Sequence, residues 1–235
     1  MKIFSIITLT GCLLIVLITG CGEELANDMV DPKSNDLLPD SDRYSVLERA
    51  LRDILNKSDG EELTTDDLAT VEHLSIPYVY TSYGTFIGNL DLTLLAGCIN
   101  LTYLDLSGNR ISNINPLAGL SHLKTLHLLE NKITDLRPLA GLVNLQKLDL
   151  QHNRIVDITS LKGLTQLEKL YLNGNQIVDL KPLVDNPGLV NENPVHLEGG
   201  FDIRADVVAV GGNPLSEVSR DEHIPALEAR GVIVR

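Results

Sequence analysis

Between residues 99 and 189 one pattern is written four times, at intervals of 22 residues. In register the units read INLTYLDLSGNRISNINPLAGL (99–120), SHLKTLHLLENKITDLRPLAGL (121–142), VNLQKLDLQHNRIVDITSLKGL (143–164) and TQLEKLYLNGNQIVDLKPLVDNPGL (165–189). Leucines recur at Leu101/Leu104/Leu106, Leu123/Leu126/Leu128, Leu145/Leu148/Leu150 and Leu167/Leu170/Leu172. Three residues after each third leucine stands an asparagine: Asn109, Asn131, Asn153 and Asn175. A unit this short cannot bury its own apolar face, so successive units must stack into one continuous coil.

The x-L-x-L portion of each unit alternates, which predicts a short strand with its leucines inward and the intervening residues outward. Stacked coils set these strands side by side, about 4.8 Å apart, in a parallel sheet. The asparagine stands where the chain leaves the strand. Its carboxamide both donates and accepts, so it can satisfy backbone groups of that turn that would otherwise be buried unpaired. The other half of the unit carries Ile111, Ile114, Leu117, Leu120 and their copies. A spacing of three suits a 3₁₀ or short helical turn. Pro116, Pro138 and Pro182 fix its start, and Ser160 takes that place in the third unit. The expected fold is an α/β solenoid, a right-handed superhelix with a parallel concave β-sheet and a short 3₁₀ or helical convex side. A terminal unit would expose half of its leucine layer, so an N-terminal helical cap and a C-terminal cap are expected.

The flanking sequence divides accordingly. Residues 1–20 read as a signal peptide, with Lys2 before the apolar run Ile3–Ile18. The run ends Ile18-Thr19-Gly20-Cys21, which resembles the lipobox of bacterial lipoproteins, with Cys21 the residue to be acylated. Cys12 follows a similar tetrapeptide, but only Ile3–Thr8 precedes it, shorter than the roughly 7–15 residues of a signal core. The competing reading is an uncleaved membrane anchor, although the stretch falls short of the about 20 apolar residues a span needs. Residues 21–43 are then the lipidated cysteine and a polar, acidic, aperiodic tether, holding the domain about 25 Å from the lipid. Gly22, where an Asp would favour retention in the inner membrane, leans towards an outer-membrane location in a two-membrane organism.

Residues 44–98 read as the N-terminal helical cap and a degenerate repeat. Leu47, Ala50, Leu51, Ile54 and Leu55 form a helical stripe behind a Ser45–Glu48 capping box, and a second helix starts at Thr64 with Asp67 three residues on. Val71, Leu74 and Ile76 repeat the strand spacing, followed by an aromatic-rich insert, Pro77–Phe86. Cys98 occupies a leucine position of the coil and is expected to be buried. Residues 190–235 read as a C-terminal repeat and cap. Val195 and Leu197 suit a strand, Ala205, Val208, Val210 and Asn213 recover the repeat spacing, Glu222–Ala229 suits a short helix, and Gly231–Val234 an edge strand.

Residues 44–235 resemble bacterial leucine-rich-repeat proteins of the 22-residue, internalin-like type, most closely through the L-x-x-L-x-L-x-x-N-x-I-x-D-I-x-P-L units. The resemblance implies a curved solenoid whose concave sheet binds another protein. No cell-wall sorting signal or immunoglobulin-like module is read after the repeats and the expected anchor is lipid, so host-cell invasion is not expected to carry over.

The chemistry points the same way. Formal net charge is −13, which argues against a nucleic-acid partner. No nucleophile elbow, zincin helix, P-loop or dinucleotide turn occurs, so neither an enzyme nor a cofactor is expected. The outward strand positions line up as His73, Tyr103, Thr125, Lys147, Lys169 and as Ser75, Asp105, His127, Asp149, Tyr171. Tyr103, Tyr171 and an exposed Leu129 are the kind of anchors that protein interfaces favour. Asp105, His127 and Asp149 form an acid–imidazole–acid series on adjacent strands. It reads as a cross-strand ion pair, as a divalent-metal site, or as a pH-sensitive contact. The expected function is a lipid-tethered, monomeric binding module of the bacterial cell envelope, with Tyr103, Asp105, His127, Leu129, Asp149 and Tyr171 facing a protein or peptide ligand. A structural envelope scaffold is the alternative, and a metal-dependent hydrolase built on the acid–imidazole–acid series a third.

Overall fold

A computed structural model describes residues 45–77, 90–190 and 206–235. The signal peptide, Cys21, the tether, most of the aromatic insert and the strand expected at Val195–Leu197 lie outside the described residues. Among those described, no helix is long and apolar enough to cross a membrane.

The fold is a leucine-rich-repeat solenoid. Seven short strands form one parallel sheet in sequence order: β1 (His73–Ser75), β2 (Tyr103–Asp105), β3 (Thr125–His127), β4 (Lys147–Asp149), β5 (Lys169–Tyr171), β6 (Val207–Ala209) and β7 (Ile233–Val234). Register is strict, with Leu104, Leu126, Leu148 and Leu170 as successive Cα partners. These leucines are fully buried, as are Leu106, Leu128, Leu150 and Leu172. Each coil thus stacks like on like.

The convex side is made of 3₁₀ turns at Thr93–Gly97, Asn115–Leu117, Arg137–Leu139 and Thr159–Gly163, and a single helical turn, α3 (Lys181–Val184). The polar residue that recurs two positions before each of the last four turns has a local task. Asn113, Asp135, Asp157 and Asp179 each accept the N–H two residues on, at 2.8–3.0 Å. Such Asx turns fix where the backbone starts to wind. Cys98 is fully buried in the leucine column, and burial pushes its thiol up to about 11.

At the N-terminal end, α1 (Val46–Leu55) and α2 (Thr65–Ala69) precede the sheet. Ser45 accepts the N–H of Glu48, but the Glu48 carboxylate turns forward to Arg52 rather than back to the cap. Buried Arg52 also donates to the carbonyls of Ser58 and Glu61, which gathers the inter-helix loop around one guanidinium. The Thr64–Asp67 capping box is complete. Leu68 of α2 lies against Gly97, where a Cβ would come within 2.7 Å of its Cδ1. Glycine at this point lets the helix seat on the first convex turn.

The C-terminal end is closed by a wide helical turn (Ser219–His223) running into α4 (Ile224–Glu228). Fully buried Ser219 accepts from Leu180 N–H and donates to Val178 C=O, both at 3.0 Å. Arg230 donates to the carbonyls of Val184 and Asn186, at 2.7 and 2.6 Å. Backbone groups at the end of the array are thereby paired without another repeat.

The asparagines tie coil to coil. Asn131 Nδ2 donates to Leu128 C=O of its own coil at 3.1 Å and to Leu106 C=O of the preceding coil at 3.0 Å. Its Oδ1 accepts the N–H groups of Asn109 (3.1 Å) and Ile111 (2.8 Å). Asn153, Asn175 and Asn213 repeat the arrangement, accepting from Ile133, Ile155 and Ile177. Asn131→Ala strands several buried groups at once, each costing about 1–3 kcal/mol. Asn173, outside this series, is half-buried. Urea melts should show a loss of about 2–4 kcal/mol for Asn131→Ala and almost none for Asn173→Ala.

Asp206, buried beside β6, accepts Val190 N–H at 3.0 Å. Burial, reinforced by the charge of Glu168, pushes its carboxyl up to about 6, against the pull of the Val190 bond and Arg230. An acid whose folded value is raised stabilises the fold most below its unfolded value and loses that contribution as pH rises through the folded one. Between about pH 4 and 6 this group should cost about 2 kcal/mol. The stability difference between Asp206→Asn and the parent should therefore move in favour of the variant across that window, measured by urea unfolding at stepped pH.

Candidate functional site

Pleating and register determine which side chains reach the concave face. Residues flanking each central leucine point away from the core and form two columns across the strands. The first runs His73, Tyr103, Thr125, Lys147, Lys169 and Val207; the second Ser75, Asp105, His127, Asp149, Tyr171 and Ala209. Tyr103, Asp105, His127 and Tyr171 are half-buried, and His73 and Lys169 are exposed.

An aromatic run crosses the first three strands. The Tyr103 ring stacks on His73 with centroids 6.2 Å apart and an interplanar angle of 21°. On its other side it meets His127 at 5.8 Å and 52°. These separations fall in the range where ring pairs attract beyond simple area burial. Burial, helped by the charge of Asp105, pushes the Tyr103 hydroxyl above its ordinary value.

The acid–imidazole–acid series is not assembled as a three-membered ladder. His127 Nδ1 lies 3.8 Å from Asp149 Oδ2, beyond hydrogen-bond reach but close enough for charge to matter. Asp105 faces elsewhere: its Oδ1 accepts the N–H and hydroxyl of Ser107 at 3.0 and 2.7 Å. Asp149 Oδ1 likewise accepts the N–H and side-chain amide of Gln151, at 3.1 and 3.2 Å. Both carboxylates sit just before the turn, where local N–H groups outcompete a cross-strand imidazole. Burial pushes the Asp149 carboxyl upward, but His127 and the bonds from Gln151 outweigh it and hold it below the ordinary carboxylate range. Among the described residues no group of three His, Cys, Asp or Glu side chains is placed to hold a metal ion. The hydrolase reading loses its constellation with that.

Two further positions differ from expectation. Asp149 is nearly buried, with 8% of its surface accessible, so it supports His127 more than it presents itself. Leu129 is half-buried rather than exposed, because successive turns stack closely there, Gly108 N–H donating to its carbonyl at 2.8 Å. His73, by contrast, joins the site through its ring contact with Tyr103, and its column position is its only signal in the sequence, while Gln151, two residues past Asp149, engages that carboxylate with no such signal.

The rim beyond the strands carries left-handed non-glycine residues in three coils, at Arg110 just after Asn109 and at Glu130 and His152 just before the next two asparagines. Gly108, Glu130, His152, Gly174 and Gly212 all hold positive φ, between 53° and 72°. Glycine adopts this conformation freely, whereas Glu130 and His152 carry a Cβ there. A Cβ on Gly174 would come within 2.5 Å of the His152 ring, so the imidazole lies over the next coil.

The repeats match the family described as Leucine Rich repeats (2 copies) over residues 99–141 and 143–185. An internalin (inlF) from Listeria monocytogenes superposes with a TM-score of 0.59 at 28% identity, covering 74% of this chain and 45% of that one. An internalin C2 (inlC2) from the same organism aligns at a TM-score of 0.48 and 26% identity, covering 75% and 87%. A leucine-rich-repeat protein of Leptospira interrogans shares the fold at 20% identity and a TM-score of 0.57, covering 80% and 45%. The chain therefore spans less than half the length of the first and third of these. Comparison with proteins of curated function yields no match.

Proposed function

We propose that the chain is a non-enzymatic binding module of the bacterial cell envelope, anchored by lipid at Cys21 and presenting its concave sheet to a protein or peptide ligand. Leucine-rich-repeat domains commonly bind proteins, and the internalin-like neighbours are of the kind that serve as binding scaffolds rather than enzymes. The observation that carries the reading is the aromatic run His73–Tyr103–His127. Rings of this size, left partly open on a sheet whose leucine core is already complete, contribute little to the interior. Tyr171 at β5 and Asp149 beside His127 extend the patch over five strands, and half-buried Leu129 adds apolar surface at its upper edge. Aromatic anchors bordered by charge are the composition of interface centres.

The test is capture of partners by crosslinking the intact protein in its own envelope. Tyr103→Ala and Tyr171→Ala should each weaken capture by about 1–3 kcal/mol, within the usual range for interface anchors, and leave the melting profile nearly unchanged. The convex control Lys162→Ala should capture as well as the parent. Equal capture by all three variants would move the binding surface elsewhere. The anchor has its own experiment: Cys21→Ser should accumulate an unlipidated precursor of higher mass, while Cys12→Ser matures normally.

A further inference from the structure

The charges of the concave sheet are distributed unevenly. Lys147 and Lys169 are direct Cα partners across β4 and β5, and Lys124 is exposed one residue before β3. Among the described residues, no carboxylate lies within 4.0 Å of any of these three ammonium groups. Some cations elsewhere are matched, Lys57 to Asp67 at 2.9 Å, Arg137 to Asp135 at 2.7 Å, Lys181 to Asp185 at 3.0 Å and Arg52 to Glu48 at 3.0 Å, and what distinguishes Lys147 and Lys169 is that they stand side by side on one sheet face. With 32 acidic against 19 basic residues, the chain has carboxylates enough to neutralise every lysine. It nevertheless sets two directly opposite each other, an arrangement that repels.

We infer that this face accepts an extended acidic peptide, with carboxylates seated at Lys147 and Lys169 and an apolar or aromatic side chain against the Tyr103–His127 pair. The inference rests on the concave-face reading and gives the ligand its chemistry. Ammonium groups on neighbouring strands, about 4.8 Å apart at the backbone, can converge on one carboxylate or serve two. Lysine suits this because its charge is compact and its stem flexible. Tyr171 and the Tyr103–His127 rings flank the lysines, so charged and aromatic positions lie side by side, as they do along a mixed peptide. A dense polyanion fits less well. Asp149, held below the ordinary carboxylate range, and exposed Glu168 lie among the lysines and would repel an unbroken line of negative charge.

Fluorescence anisotropy with the full-length protein in detergent tests this, using blocked, labelled hexapeptides of alternating glutamate and phenylalanine. Counterparts with lysine or glutamine in place of glutamate, and labelled heparin, complete the set. The glutamate peptide should bind, weaken as salt rises, and exceed the glutamine peptide by about tenfold, the least that a desolvated charge contact is worth. Lys147→Glu with Lys169→Glu should abolish that preference and confer binding of the lysine peptide. Arg49→Glu with Lys132→Glu, the same change in net charge on other exposed positions, should leave it intact. Three results would overturn the proposal: equal binding of the glutamate and glutamine peptides, persistence of binding in the lysine double variant, or heparin binding while the glutamate peptide does not. If the tyrosine variants lose their envelope partners while any of these holds, the concave face remains the binding surface and only the acidic ligand class falls. If the tyrosine variants also keep their partners, both readings fall together.

Discussion

One buried carboxamide per coil is what the solenoid depends on. A parallel stack of short strands leaves the backbone unpaired where the chain departs from the sheet, at a point where Asn109, Asn131, Asn153 and Asn175 are all buried. Asn131 answers with a donor shared between Leu106 and Leu128 and an acceptor shared between Asn109 and Ile111. Leucine would fill the space and orphan four groups. Aspartate would set an acceptor against two carbonyls. Only a side chain carrying both polarities in one plane closes the turn and joins it to its neighbour. The close succession of turns follows from this, as does the positive φ immediately before each asparagine.

The same arithmetic explains why the outer columns differ in freedom. Positions on the convex side answer to local backbone needs, so they are confined to Asn or Asp at the Asx turns. A second polar series behaves similarly: Asn100 and Asn144 donate to Ala69 and Ser121, and His122 contacts Ile99, each one coil back. The concave columns answer to the backbone only at Asp105 and Asp149, and otherwise hold tyrosine, threonine, lysine and histidine in no repeating order. Variation is concentrated where structure makes the least demand.

This division also decides what was legible in the residues alone. Strand register, the leucine layers and the convex turns all follow from a period, and a period survives reading in one dimension. The behaviour of individual carboxylates does not. Asp105 and Asp149 occupy equivalent columns beside His127, yet each is captured by the residue two positions on, Ser107 or Gln151. That outcome is decided by tenths of an ångström at the strand end, so the apparent ladder dissolves into one ion contact and two turns. Arg52, Arg230 and Ser219 show the same limit at the ends of the array. Each satisfies carbonyls far away in sequence, and a lone arginine or serine outside any repeat carries no sign of such a partner.

Because every asparagine bonds its own coil and the one before it, the coils are interchangeable parts. A duplicated 22-residue segment inserted anywhere between Asn109 and Asn175 would find the same acceptors on one side and offer the same donors on the other. Array length can then drift by whole units without any redesign of the interior. Each insertion would also lengthen the sheet by one strand spacing, about 4.8 Å, and separate Tyr103 from Tyr171 by that step. A solenoid of this kind carries an adjustable ruler, and lineages can change the reach of the face by copying a sentence rather than rewriting it.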